Sequence, residues 1–428
     1  MDAPRYGWFG DDFTGATDTL ATINERGHRA FLFLGVPDAA HLSAAGPLDA
    51  VGIASATRSM GSSELRTAVE PAGNFFRALG VRLVHYKCCS TFDSAPEVGN
   101  LAVAIETLRP FVDHPTAVIL GGQPSLGRYC VFSNLFAAAG DETHRLDRHP
   151  TMSRHPATPM GEADLRRHLA TLGLESVEGI HYRSLDDGAR LLDRLASSED
   201  EAVLLDALTQ EHVSMAGAAL RRMAENGSVL AVGASGVAEA FFAARQAPTV
   251  AATNNLEVSQ VLAIAGSLSP TTREQVLASR RYRRLRIDPV TLIASSAYRD
   301  DVLADATKIL RIGDNLLLHT MSLDGLTPDA ADISLALEGA RLVSAILDQY
   351  PVRRLIAAGG DTSSHLVQTL GIWGIGFAGR ADKGVAVSRA RSDRTDRDGM
   401  LLILKGGQMG EPDLLDRFAG SVDVEHLS

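Results

Sequence analysis

The sequence predicts an α/β protein of two domains, each a mostly parallel sheet flanked by helices, with a cleft between them. Three observations predict it. Short apolar runs alternate with helix-length stretches along nearly the whole chain, as strands do when crossover helices cover both faces of a sheet. The length, 428 residues, exceeds what one ordinary core spans. Periodicity fails over 246–258, where Pro, Thr and Asn gather. That stretch reads as a linker between an N-terminal domain, 1–245, and a C-terminal domain, 259–428.

In chain order, the first half predicts strands at Tyr6–Gly10, Ala30–Leu34, Ala50–Ala54, Val81–Lys87, Ala117–Gly121, Ala202–Asp206 and Val229–Val232. Helices are predicted at Thr17–Arg26, Ser62–Leu79, Val98–Leu108, Glu162–Thr171 and Asp186–Ala196. Beyond the linker, strands are predicted at Gln260–Ala265, Arg283–Ile287, Asn315–His319, Arg354–Ala358 and Met400–Lys405.

Composition narrows the function. A hydrophobic content of 45% with 22% charged residues describes a globular chain, and no window approaches the roughly 18 apolar residues of a membrane span. The N-terminus lacks a basic stretch followed by an apolar one, so no signal peptide is expected. Three cysteines, two of them adjacent, cannot build a disulfide framework, and a reducing cytoplasm is the expected location. A net charge of −11 argues against nucleic acid or an anionic membrane as partner. It also demands a local cluster of Arg and Lys for any anionic substrate.

The first strand runs into Asp11 and Asp12, then a Thr-Gly-Ala turn and a helix. In an open parallel sheet, ligands bind beyond the carboxyl ends of strands. Adjacent carboxylates there raise each other's proton affinity. Such a pair suits removal of a proton from a substrate hydroxyl, with Asp12 as the base. The same residues also suit simple capping by Asp12 or Thr14, with Asp11 in solvent. The strand ending at Lys87 opens into a polar loop holding Cys88, Cys89, Ser90, Thr91 and Asp93, a composition that fits a small polyhydroxylated carboxylate or an ordinary turn. Cys88 and Cys89 read as small hydrophobes beside the site. After the third strand stands Arg58, suited to a bidentate carboxylate pair. Arg154 and His155 lie in a Pro-rich loop. Asp141, Glu142, His144, Asp147 and His149 match no compact metal pattern and read as an exposed connection.

Three glycine-rich turns follow strands in the second half. They hold Gly266, Ser267 and Ser269; then Gly359, Gly360, Asp361, Thr362 and Ser363; then Gly406, Gly407 and Gln408. Glycines let backbone N–H groups approach phosphate oxygens, and the helix behind adds its positive end. Neither a Walker A nor a GxGxxG pattern is present, and it is the occurrence of three such turns in one domain that points to a nucleotide phosphate site. Asp361 is the candidate ligand for Mg²⁺.

Together these segments resemble the four-carbon acid sugar kinase family, whose members phosphorylate threonate, erythronate, 3-oxo-tetronate and related acids with ATP. The resemblance runs through most of the chain. It rests on Gly10-Asp-Asp-Phe-Thr-Gly-Ala-Thr-Asp18, Thr57-Arg-Ser59, Lys87 with Ser90-Thr-Phe-Asp-Ser94, and the loop from Arg154 to Met160. It continues through Gly233-Ala-Ser-Gly236, Gly266-Ser-Leu-Ser-Pro270, Gly359-Gly-Asp-Thr-Ser363 and Lys405-Gly-Gly-Gln-Met-Gly410. It implies an N-terminal sugar-acid domain, a C-terminal nucleotide domain, and reaction in the cleft. The family's substrate-side residues correspond to Asp12, Arg58, Lys87, Cys88, Cys89 and Ser90, and its ATP-side residues to Ser267, Gly360–Ser363 and Gly406–Gln408. The chain departs from the common pattern at Cys88-Cys89, Gly121-Gly-Gln-Pro124, Lys383-Gly-Val-Ala386 and Gly406–Gly410. Those departures are similar to a branch acting on 3-oxo-isoapionate, a branched five-carbon acid.

The expected reaction is phosphoryl transfer from Mg-ATP to a primary hydroxyl of a short sugar acid. Arg58 and Lys87, helped by Arg154, would hold the carboxylate. An Asp-nucleophile phosphatase would need Asp-x-Asp rather than adjacent acids. A non-catalytic sensor would have no use for three phosphate-type turns. Monomer and homo-oligomer are both open.

Overall fold

The computed structural model describes residues 4–155, 158–185, 188–245, 259–266, 269–321 and 333–420. The linker expected over 246–258 and Ser267 lie outside them. The chain divides into two compact units, Met1–Ala247 and Pro248–Ser428.

In the first unit the strands are β1 (Tyr6–Gly10), β2 (Ala30–Phe33), β3 (Ala50–Ala54), β4 (Leu83–Lys87), β5 (Ala117–Leu120), β6 (Arg128–Val131), β7 (Asn134–Ala139), β8 (Glu142–Arg145), β9 (Val177–Ile180), β10 (Ala202–Leu205) and β11 (Val229–Gly233). Eight form a parallel sheet in the order β2-β3-β1-β4-β11-β5-β10-β9. From β1 the chain leaves towards β2 on one side and later returns at β4 on the other. That reversal opens a crevice at the carboxyl ends of β1 and β4. Register aligns Gly10 with both Ala54 and Lys87, so three strand ends stand in one row.

The second unit contains β12 (Val261–Ala265), β13 (Tyr282–Arg286), β14 (Asn315–His319), β15 (Arg354–Ala358), β16 (Ile372–Asp382), β17 (Val385–Ser392) and β18 (Leu401–Lys405). Their order is β13-β14-β12-β15-β18-β17-β16, parallel through β18 and antiparallel beyond. The order reverses again, between β12 and β15. One face of the sheet packs Val261, Ala263, Leu317, Ile356 and Ile403 against Val276, Leu414 and Phe418.

Several elements differ from the sequence reading. The first helix spans Phe13–Glu25 rather than starting near Thr17, because Asp12 itself is the N-cap. The stretch read as an exposed connection is the antiparallel sheet β6-β7-β8, with Asp147 and His149 just beyond. Its last strand is exposed or half-buried throughout, so it carries no alternating apolar signal. The β16–β17 hairpin also escaped the pattern, since three glycines interrupt Ile372–Asp382. Gly384, at φ +70°, makes its turn.

The β6–β7 connection holds Phe132 and Ser133 at φ +49° and +66°. Such backbone is rare for side chains of this kind and persists only when its surroundings enforce it. Asp206, buried after β10, accepts from the Phe132 and Ser133 amides at 2.7 and 2.9 Å and from the Tyr182 amide at 3.0 Å. Replacing Asp206 by Ala leaves these donors without their acceptor, at about 1–3 kcal/mol for each one that stays buried. The expected outcome is a clearly lower denaturant midpoint, and an unchanged midpoint would show that the turn holds itself.

Candidate active site

Three loops converge where β3, β1 and β4 end. Asp11 is 3% exposed, and its amide donates to the Lys87 carbonyl at 3.0 Å. The Arg58 amide donates to the Asp11 carbonyl at 3.1 Å, which ties the third loop to the first. The side chains then close an ionic cluster. Lys87 Nζ lies 3.2 Å from Asp11 Oδ1 and 2.9 Å from Asp12 Oδ1. Arg58 Nη1 lies 3.2 Å from Asp12 Oδ2, and its Nη2 pairs with Asp93. Asp12 Oδ1 also accepts from the Gly15 amide at 2.7 Å, so the capping role and the ionic role coexist in one carboxylate.

The two neighbouring acids are pushed apart. Burial lifts Asp11 to about 6 despite the attraction of Lys87. Burial also opposes ionisation of Asp12, but Lys87 and Arg58 outweigh it and hold Asp12 at about 2. For Asp93, Arg58 likewise overcomes burial and keeps the carboxyl well below the usual range. Lys87 stays protonated because Asp11 and Asp12 more than offset its burial. Burial pushes both thiols up, Cys89 to about 11, so neither cysteine is a ready nucleophile.

The rest of the loop extends from this cluster. Thr91 donates to Asp93 at 2.5 Å, and Cys89 Sγ sits 3.1 Å from Thr91 Oγ1. Thr158 donates to Asp93 at 3.3 Å and lies 3.0 Å from His155 Nδ1, which brings His155 to the edge of the site. Ser90 accepts from Arg128 Nε at 3.3 Å. Arg154 is exposed in the short turn Met152–Arg154, and no contact among the described residues joins it to the cluster. No group of three or more His, Cys, Asp or Glu side chains converges as a metal site among the described residues.

In the second unit, register sets Ala265, Ala358 and Lys405 in one row, so the three glycine turns begin side by side. A Cβ on Gly266 would meet Thr362 Oγ1 at 2.3 Å, which accounts for glycine there. Gly359, at φ +127°, leads into the helix Gly360–Thr369 with no side chain capping it. The first-turn amides there are therefore open to an anion. Thr362 and Ser363 are buried behind this turn, while Asp361 is exposed on it.

The third turn is held by its carbonyls. Ser269 and Thr272 hydroxyls both donate to the Gly407 carbonyl, Thr272 at 2.7 Å. Lys405 Nζ donates to the Gly406 carbonyl at 3.0 Å and to Thr272 Oγ1 at 3.2 Å. A trans peptide sets N–H opposite C=O. With both carbonyls drawn onto these donors, the Gly407 and Gln408 amides point the other way. Lys405 is fully buried, which lowers it to about 8. Its supporting role, like that of Thr272, is not legible in the sequence. The available signal was a lysine ending an apolar strand, the same signal that marks Lys87.

Residues 6–241 match a family described as a sugar-binding N-terminal domain, and residues 262–415 one described as a nucleotide-binding C-terminal domain. The chain belongs to the four-carbon acid sugar kinase family. It is 32% identical to a 3-oxo-isoapionate kinase of Paraburkholderia graminis, covering 94% of this chain and 92% of the relative. It is 30% identical to a 3-oxo-tetronate kinase of Cupriavidus necator, covering 96% of each. A Salmonella typhimurium LT2 crystal structure, described there as a tRNA synthase, superposes with a TM-score of 0.79 at 26% identity, over 97% and 98% of the two chains. A Haemophilus influenzae structure of family DUF1537 gives 0.70 at 25%, over 96% and 98%. Family membership makes this chain a sugar-acid kinase.

Two outcomes test the geometry. A Cβ at position 15 would fall 1.6 Å from Lys87 Nζ, so Gly15→Ala should displace the lysine and abolish turnover. Near-normal kcat in that variant would show that Lys87 is not needed where it stands. Asp11 has a folded pKa above its unfolded one, so its stabilising contribution is complete below about pH 4 and is lost as pH rises through 6. Asp12 has the opposite sign, contributing above about pH 4 and fading as pH falls towards 2. The stability of Asp11→Asn relative to the parent should therefore climb between about pH 4 and 7 and then level off. A flat difference across that window would show that Asp11 does not ionise within it.

Proposed function

We propose that the chain transfers the γ-phosphoryl group of ATP to the terminal hydroxyl of a short 3-oxo or aldonic sugar acid. The observation that carries this reading is the Asp11–Asp12–Lys87–Arg58 cluster at the strand ends of a sugar-binding domain. Asp12 would accept the hydroxyl proton. Its side chain keeps 16% of its surface open, against 5% for Asp11, so it is the acid a substrate can reach. A carboxyl at about 2 is a weak base, and that suffices here. In a loose transition state the proton leaves late, so orienting the hydroxyl matters more than basicity. Lys87 and Arg58 would hold Asp12 in place and stay cationic throughout. Asp11 would anchor Lys87 from below.

The second unit would supply the triphosphate site through Gly266, Ser267, Ser269, Gly359–Ser363 and Gly406–Gln408. Outward amides and an uncapped helix start support this reading. Asp361, a single exposed carboxylate beside those amides, fits Mg²⁺, which takes one or two carboxylates and completes its shell with phosphate and water. Bound there, Mg²⁺ would neutralise charge on the transferring phosphoryl group.

A branched five-carbon 3-oxo acid is the second reading for the substrate. The 32% identity to the 3-oxo-isoapionate kinase favours it, as do the departures at Cys88-Cys89 and Lys383–Ala386.

An ATP-coupled assay over threonate, erythronate, 3-oxo-tetronates and 3-oxo-isoapionate tests both readings. Turnover is expected on a 3-oxo acid, and failure on every acid would overturn the proposal. Asp12→Asn should lower kcat by about 100-fold or more with ATP affinity unchanged. Near-normal turnover would remove Asp12 from the role of base.

A further inference from the structure

The ionic cluster leaves the substrate's own charge unanswered. Lys87 is shared by Asp11 and Asp12, and Arg58 by Asp12 and Asp93. Three carboxylates thus face two cations, and an arriving carboxylate finds each cation already paired. A cation outside the cluster is required.

Arg128, the first residue of β6, meets that requirement. It is half-buried, its Nε donates to Ser90 Oγ at 3.3 Å, and its Nη1 donates to the Leu126 carbonyl at 2.9 Å. Among the described residues no carboxylate pairs with it, and its Nη2 donates to nothing. Desolvation lowers its pKa, as burying a guanidinium without an anion should. Ser90 accepts from Nε, so its own O–H is free to donate outward. Nη2 and the Ser90 hydroxyl are thus two neighbouring donors with no carboxylate against them among the described residues. Ser90 lies on the same loop as Cys89, Thr91 and Asp93, which runs back to Arg58.

We propose that Arg128, with the Ser90 hydroxyl beside it, receives the carboxylate of the sugar acid, while Arg58 and Lys87 hold Asp12 at the hydroxyl end. This assignment rests on the sugar-acid kinase reading above. It divides the site by charge, with an arginine without a counter-ion for the acid group and a compensated cluster for the reacting hydroxyl. Residue 128 thereby becomes the determinant that separates acids from neutral sugars of the same length.

The test is steady-state kinetics and calorimetry on the full chain with Arg128→Gln, Arg128→Lys and Ser90→Ala. Arg128→Gln should raise KM for the preferred acid by about 10- to 100-fold, as expected for a lost hydrogen bond to a charged group, with kcat and the KM for ATP little changed. Arg128→Lys should recover part of the loss, since it keeps the charge without the fork. Ser90→Ala should raise KM without touching the arginine, so it speaks even if Arg128→Gln folds poorly. The preference of the parent for the acid over its primary amide should vanish in Arg128→Gln. An unchanged KM and an intact preference would overturn the assignment, as would equal losses of kcat and stability in all three variants. If the parent phosphorylates no acid, the kinase reading fails instead. Calorimetric binding of erythronate and threonate then decides Arg128 alone: equal binding by parent and Arg128→Gln, or none by either, sinks it.

Discussion

The buried ammonium of Lys87 is the contact on which the ionic cluster of the first unit depends. It compensates two adjacent carboxylates that could not otherwise both ionise in a site this dry. Its position at the last register point of β4, level with Gly10, is what lets one side chain reach both acids. Gly15 leaves the room, and backbone bonds from Asp11 to Lys87 and from Arg58 to Asp11 lock the three loops together. Clusters of this type add little net stability, because desolvation cancels most of the Coulomb gain. Their value lies in geometry. Removing one partner is costly, so each member holds the others to one arrangement.

The two units answer different ligands from the same topological position. Each sheet reverses its strand order beside its first strand, at β1/β4 and again at β12/β15, and each collects its polar loops there. The first unit fills the crevice with charged side chains, which suits a substrate whose proton must be moved. The second fills it with backbone. Its hydroxyls and Lys405 donate to the turn's own carbonyls, and so turn amides outward. Fixed amide dipoles suit phosphates, which need many donors and no proton transfer.

How much of this was legible in the sequence depended on what each residue did to its local pattern. Asp11, Asp12 and Lys87 stand at the ends of mostly apolar strands, and a charge in that position has few structural excuses. The glycine turns announced themselves in the same way. Asp12 as helix cap and Asp12 as site carboxylate looked like alternatives, because a one-dimensional reading cannot see that two oxygens serve two partners. Arg154 has the right charge in a suggestive loop, yet it stands exposed, with no contact to the cluster among the described residues. Arg128 was missed for the converse reason. It opens a strand of mostly half-buried residues, with no apolar alternation to make a cation conspicuous. The β16–β17 hairpin was hidden by its glycines. Lys405 is visible in the sequence only as part of a motif, since it acts on carbonyls that no sequence pattern displays.

The overall charge gives these local arrangements their meaning. With a net charge of −11, the chain's field repels both a sugar acid and a nucleotide at long range. That repulsion is screened within about 8 Å at physiological salt, so recognition is settled inside the crevices. There the two units differ in kind. Amides and helix ends have no protonation state to lose, so the glycine turns proposed to hold phosphate depend on pH only through the Lys405 that supports the third of them. The proposed acid side depends on discrete cations, and three carboxylates are already paired with Lys87 and Arg58 before any substrate arrives. An arginine that remains protonated although burial lowers its pKa is the kind of group that can meet an acid without disturbing that balance. A lysine in its place would lose its proton more readily under the same desolvation. The guanidinium at position 128 therefore fits the physical demand that the acidic composition imposes.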